Sequence, residues 1–498
     1  MWSATDRRWS LDLPGKLILA FAAALLLFCR PAQAQTIRVD GGLIRGKAWN
    51  GSLLFRGVPF AAAPLGRLRW RPPQPVHSWS GVRDSLDRPP SCIQPDQGWN
   101  HADFLNQSED CLTLDVRTPS LGGKLPVLVW IHGGSNRAGG PSDIVLSDIG
   151  KQVVVVGIRY RLGVFGFLSH RKLTAEQGGA SGNYGLMDQV AALRWVQRNI
   201  AKFGGDPTDV TIAGESAGSQ DVSLLLTEPA ARPLFEKAIM ESGTPGFGLG
   251  FRSLADAEGI GDQLDKLVGS GGDLRKLRAV PAARLLAADS KLHDAGVPDD
   301  SFIWLQITID GKALPANPRR LLAEAPPKPL IVGSNRFEFG LGGGAAEVDG
   351  LVAASFGQRA QRARALYGKM QADPRLGSRD DQISTDLIFR CPASRFARIM
   401  AAKGARVWRY EFDAAPEGGK TSHAAEIPYA FGNSTFGKRL SLKPYWLNFI
   451  RTGDPNGPGL PRWPRFTSAV PEHVLFSDSG VTPKGALRPQ ICSLTDRI

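Results

Sequence analysis

The chain has 498 residues, 42% apolar and 21% charged, close to the averages of globular proteins, which excludes a disordered or fibrous chain. Its 57 glycines and 36 prolines stay below the share that marks low complexity. The formal net charge of +13 comes from scattered bases, with no arginine-rich tract or aromatic-basic alternation, so nucleic acid is not an expected partner.

Residues 1–34 read as a signal peptide. Arg7, Arg8 and Lys16 precede an apolar run from Leu17 to Phe28, and Ala32-Gln33-Ala34 follows as a small-x-small cleavage site. The run is shorter than the ~20 residues a membrane-spanning helix needs, so export to the periplasm or the medium is expected, without stable membrane insertion. Arg7-Arg8 leaves a twin-arginine route open beside the general one, although Ser10 and Asp12 fit that pattern poorly. Cleavage before Gln35 removes Cys29 and leaves Cys92, Cys111, Cys391 and Cys492. An even number of cysteines in an exported chain suggests two disulfides, among three possible pairings. Nearest-neighbour pairing would close loops of 19 and 101 residues, contributing roughly 3 and 4.7 kcal/mol by chain entropy.

From Ile37 to Gly57 the chain alternates apolar and polar residues between glycines, as a small antiparallel sheet does, and a proline-rich stretch from Pro64 to Pro75 follows. The apolar runs Leu125–Ile131, Val153–Tyr160 and Val210–Ala213 predict strands, with a helix over Leu186–Phe203 between the last two. Beyond Gly218 the spacing turns helical through Leu254–Leu267 and Leu274–Leu286, a stretch expected to cap the sheet. Strand-like runs return at Pro329–Val332 and Arg406–Phe412. Strands alternating with helices imply an α/β fold with a mostly parallel sheet. With no internal repeat and no long linker, residues 35–498 read as one catalytic domain.

Val210–Ala213 runs into Gly214-Glu215-Ser216-Ala217-Gly218, a strand feeding a Gly-x-Ser-x-Gly turn, the form of a nucleophile elbow. A serine hydroxyl attacks well only when a tight turn holds it clear of the backbone, and glycines two before and two after remove the clash such a turn creates. In an α/β-hydrolase the acid and the histidine follow the serine in that order. Of the histidines after Ser216, His293 lies in a polar amphipathic stretch and His473 in a polar segment that reads as a surface turn. His423 follows the Arg406–Phe412 strand through a loop and is the expected general base and acid. The loop after Pro329–Val332 carries Glu338, the expected orienting carboxylate, with Asp349 and Glu347 as the other acids in range. Val127–Ile131 ends in His132-Gly133-Gly134-Ser135. This loop is expected to aim the Gly134 and Ser135 N–H groups, with that of Ala217, at the oxyanion of a tetrahedral intermediate.

With these residues in view, the chain resembles the type-B carboxylesterase and cholinesterase family, of the α/β-hydrolase superfamily, over nearly all of its mature length. The stretches that carry the resemblance include Leu65–Pro75, Ser108–Val116, Tyr160–Ser169, Asn183–Gln189, Phe203–Ser219, Ser422–Gly432 and Tyr445–Asn456. It implies an α/β-hydrolase fold, no cofactor or metal, and a Ser-Glu-His triad, which selects Glu338 and His423. It also implies Cys92–Cys111 and Cys391–Cys492 as the disulfides, and Arg69–Glu109 and Arg161–Asp188 as structural ion pairs.

Three residues depart from the family pattern. Ser135 stands where a third glycine is common, Asn136 where an aromatic residue is frequent, and Arg159 where asparagine is usual; the first two are expected to touch the acyl side of the pocket. Trp99 lies in the loop where cholinesterases carry a choline-binding tryptophan, but the loop looks shortened, so a cholinesterase is not expected. The expected activity is hydrolysis of small to medium, fairly apolar carboxylic esters through an acyl-enzyme, by a monomer or homodimer. The alternatives are an amidase or carbamate hydrolase with the same triad and, from another class, a noncatalytic binding protein. Retention of Ser216, Glu338 and His423 argues against the last.

Overall fold

The computed structural model describes residues 35–297, 299–340, 344–415, 419–435 and 441–495; the expected signal peptide lies outside them. The uninterrupted apolar runs form strands covered on both faces, as in a parallel sheet with helices on either side. In chain order the strands are β1 Gln35–Val39, β2 Gly42–Trp49, β3 Ser52–Pro59, β4 Val82–Asp84, β5 Thr113–Thr118, β6 Leu125–Ile131, β7 Val154–Ile158, β8 Gly205–Glu215 and β9 Lys237–Glu241. Then come β10 Arg252–Ser253, β11 Thr308–Ile309, β12 Leu330–Asn335, β13 Val407–Asp413, β14 His473–Ser477 and β15 Gly480–Lys484.

The main sheet runs β1-β2-β3-β5-β7-β6-β8-β9-β12-β13-β14-β15, with β4 beside β2. From β7 to β14 all neighbours are parallel; the antiparallel pairs lie toward the β1 edge and at β15. This is the α/β-hydrolase architecture expected, including the N-terminal antiparallel region. Strand alternation divides the core: Val127, Val129 and Ile131 of β6 pack with helix α1 (Tyr184–Asn199), and Leu128 and Trp130 pack on the other face with Trp446 and Phe449 of a C-terminal helix. Helix α2 (Ala217–Thr227) follows β8 directly and is buried along its whole length.

Two expectations need correction. The helix foreseen over Leu274–Leu286 is two helices, Leu274–Ala279 and Ala282–Asp289. Pro281 drives Val280 out of helical geometry (ψ 128°), as proline does to the residue before it. His473 is no surface turn residue; it opens β14, is buried, and its Nδ1 lies 2.7 Å from the Gly485 carbonyl oxygen.

Disulfides join Cys92 to Cys111 and Cys391 to Cys492. Arg69 meets Glu109, and Arg161 grips Asp188 through Nε (2.8 Å) and a terminal nitrogen (2.7 Å). Arg159 is explained by Asp115 of β5, which it engages with two contacts of 3.0 Å, both groups fully buried. Among the described residues no helix is long and apolar enough to cross a membrane.

Candidate active site

Four segments at the C-terminal ends of parallel strands converge on one cavity of about 640 Å³, the place where open α/β sheets bind ligands. β8 delivers Ser216. Its backbone sits at φ 55°, ψ −125°, a conformation costly for a residue with a side chain, and α2 begins at the next residue. The flanking glycines are required by contact. A Cβ on Gly218 would lie 2.1 Å from the Ile131 carbonyl oxygen, and one on Gly214 would lie 2.5 Å from the Gly218 backbone.

β6 delivers the loop His132–Asn136. A Cβ on Gly133 would lie 3.0 Å from the Ser216 Cβ, so this loop passes directly against the serine, and one on Gly134 would strike the Ala138 carbonyl oxygen at 2.1 Å. Among the described residues the N–H groups of Gly134, Ser135 and Ala217 have no protein acceptor. At Ala217 that is the ordinary orphan donor of a helix N-terminus. His132 stacks on Tyr160 with ring centroids 4.5 Å apart, and burial pulls its pKa down to about 4, so it is neutral.

β12 and β13 deliver the acid and the histidine. His423 Nδ1 lies 2.7 Å from Glu338 Oε2, and the His423 N–H donates to the Glu338 carbonyl at 3.0 Å. Glu338 is buried, and its other oxygen accepts from the Asn335 N–H at 2.7 Å. The rings of Phe339 and Phe389 hold the imidazole, each with its centroid 5.2 Å away. His423 Nε2 makes no well-formed hydrogen bond and lies 3.1 Å from Glu215 Oε1. The other acids considered stand apart: Asp349 is exposed and paired with Arg364, and neither it nor Glu347 lines the cavity.

What sequence reasoning missed is a cluster of buried carboxyls around the histidine. Glu215 and Glu426 join Glu338 there, with Glu241 paired to Glu215 across β8 and β9. Glu426 accepts from Asn335 Nδ2 at 2.8 Å, and Glu241 accepts from Trp446 Nε1 at 2.5 Å. Burial raises Glu215 to about 8 and Glu426 to about 7. Burial alone would lower His423; the carboxylates of Glu215, Glu338 and Glu426 outweigh it and push the imidazole up to about 9. The available signal was position: Glu215 lies inside the elbow and Glu426 three residues after His423.

The cavity walls are largely apolar, with Trp130, Phe247, Phe302, Leu305 and Phe339, while Trp99, 67% exposed, stands at the rim. Ser135 lines the cavity as expected. Asn136 does not: it is fully buried and turned away, toward α2 and Tyr160.

The sequence model of the Carboxylesterase family matches residues 33–345 and 353–493. The chain is 36% identical to the cocaine esterase of Homo sapiens, covering 90% of this chain and 89% of that protein. It is 34% identical to the para-nitrobenzyl esterase of Bacillus subtilis, covering 90% and 96%. Among solved structures, one of a PNB esterase superposes with a TM-score of 0.81 at 31% identity, over 94% of this chain and all of that one. A Geobacillus stearothermophilus carboxylesterase superposes with 0.79 at 32% identity, over 93% and 100%.

Proposed function

We propose, for a chain that belongs to the carboxylesterase family and hydrolyses carboxylic esters, that Ser216 is the nucleophile, His423 the general base and acid, and Glu338 the carboxylate that orients the imidazole. The observation that carries this reading is the 2.7 Å contact between Glu338 and Nδ1 of His423, which lines the cavity together with Ser216. Glu338 fixes the tautomer that leaves Nε2 as acceptor. Catalytic hydrogen bonds are commonly long before substrate binds and tighten in the reacting complex, and Nε2, which makes no well-formed hydrogen bond, is the nitrogen left to receive the serine proton.

Ser216 Oγ attacks the ester carbonyl while His423 takes its proton, and the N–H groups of Gly134, Ser135 and Ala217 receive the oxyanion. His423 returns the proton to the departing alcohol. Water, activated by the same histidine, then releases the acid from the acyl-enzyme. The aromatic walls and the size of the cavity favour small to medium, fairly apolar esters. The leader and the two disulfides favour an exported protein working in the periplasm or the medium.

The test is hydrolysis of p-nitrophenyl esters from acetate to decanoate by protein starting at Gln35, beside its Ser216→Ala variant. Turnover is expected to fall by roughly 10⁶ in the variant. Retention of half the activity would remove Ser216 from the mechanism.

A further inference from the structure

Ser135 and Asn136 both occupy the left-handed region, at φ 57° and 54°. Such backbone is costly for residues other than glycine and persists only where the surroundings fix it. Much of what fixes it converges on Asn136. Its carbonyl accepts from the Gly163 N–H at 2.7 Å, and its side-chain oxygen faces the Tyr160 hydroxyl at 3.3 Å, which also donates to the His132 carbonyl at 2.7 Å. Its side-chain nitrogen lies 3.4 Å from Asp221 Oδ1 and 3.5 Å from the Trp304 carbonyl oxygen.

Asp221 is unusual in its own right. It lies on α2, the helix that starts at the residue after Ser216, and is fully buried. Among the described residues it has no ion-pair partner; its other oxygen accepts from Gln189 Nε2 of α1 at 2.5 Å. A carboxyl buried with only two amides is expensive to hold, and burial pushes it up to about 7. What that arrangement accomplishes is a bridge. One side of Asp221 is fixed to the helix that presents the Ala217 N–H, and the other reaches the loop that presents the Gly134 and Ser135 N–H groups.

We infer that Asp221 is a positioning residue for the oxyanion hole: through Asn136 it locks the left-handed turn at Ser135, so that the loop donors and the helix donor point at one site. The inference rests on the reading of those three N–H groups as the oxyanion donors. It requires an acceptor on residue 221, not a charge. Gln189 Oε1 has no partner, so its amide can turn over and accept from an asparagine at 221, whose own oxygen still faces Asn136.

The test compares Asp221→Ser, Asp221→Asn, Asn136→Ala and Ser216→Ala with the wild type. It measures p-nitrophenyl acetate kinetics, affinity for a trifluoromethyl ketone that adds to the serine and places an oxyanion in the hole, and thermal unfolding. Loss of one oxyanion donor costs about 10²–10³ in kcat, so misaimed donors in Asp221→Ser should cost about tenfold to hundredfold in kcat. KM should stay nearly constant, ketone affinity should fall by a similar factor, and Asp221→Asn should recover most of the loss. A folded Asp221→Ser that keeps kcat and ketone affinity overturns the inference, as does an Asp221→Asn impaired just as much. Should Asp221→Ser fail to fold, Asn136→Ala reads the same contact from the other side, and unchanged kcat there overturns it equally. Activity surviving in Ser216→Ala would instead sink the site reading itself.

Discussion

Glu215 Oε1 lies 3.1 Å from His423 Nε2, the nitrogen proposed to receive the serine proton. An ionised Glu215 favours the imidazolium and so opposes the base the reaction needs; burial, which raises Glu215 to about 8, works the other way by keeping it neutral. His423 stands above its ordinary value, at about 9, and its neutral form is the base, so kcat/KM should climb as pH rises through that value. Glu215→Gln keeps the volume and removes the charge, and the rising limb of the kcat/KM profile is expected to move to lower pH. A limb that does not move would mean that Glu215 keeps its proton in the working enzyme. The linkage to stability has the opposite sense: a raised histidine stabilises the fold below its unfolded value and loses that contribution as pH rises through about 9. The sequence showed only that Glu215 lies inside the elbow and Glu426 close to His423, not that they are buried together there. The proposed roles of Ser216, His423 and Glu338 are read from local motif and chain order, whereas Glu241, buried beside Trp446, joins the carboxyl cluster only through tertiary packing.

At the level of elements, the turn between β8 and α2 is set by backbone contact with β6. Because a Cβ at Gly218 would lie 2.1 Å from the Ile131 carbonyl oxygen, Gly218→Ala cannot be accommodated by moving a side chain. Overpacking of this kind typically costs about 1–3 kcal/mol, and here it also displaces the Ala217 N–H. Thermal unfolding and kcat of Gly218→Ala should both fall; an unchanged kcat would mean that the helix start tolerates displacement. The same reasoning explains which elements the sequence disclosed. β6, β7, β8, β12 and β13 are apolar runs and were legible. β5 was not, because Asp115 and Arg117 interrupt its pattern. Both are fully buried, Asp115 against Arg159 and Arg117 against the Leu146 and Ser147 carbonyls. Asn136, expected at the pocket wall, turned inward because α2 offers Asp221 there.

Over the whole molecule, the Cys391–Cys492 disulfide ties the chain's last described helix, Pro489–Cys492, to the helix that begins at Cys391, closing a loop of 101 residues. On the chain-entropy estimate, replacing both cysteines by serine should cost up to about 4.7 kcal/mol, visible as a lower urea midpoint; a midpoint equal to wild type would show that packing alone holds this end. The order β7-β6-β8-β9-β12-β13 has a consequence of another kind. The proposed nucleophile, oxyanion donors, acid and base follow four different strands of one sheet, β8, β6, β12 and β13, so no fragment or partly assembled chain can carry them all in register. A covalent serine titrant would therefore serve as a census of completed molecules: the fraction it labels in a refolding mixture counts those in which the sheet has closed from β6 to β13, leaving partly ordered chains unmarked.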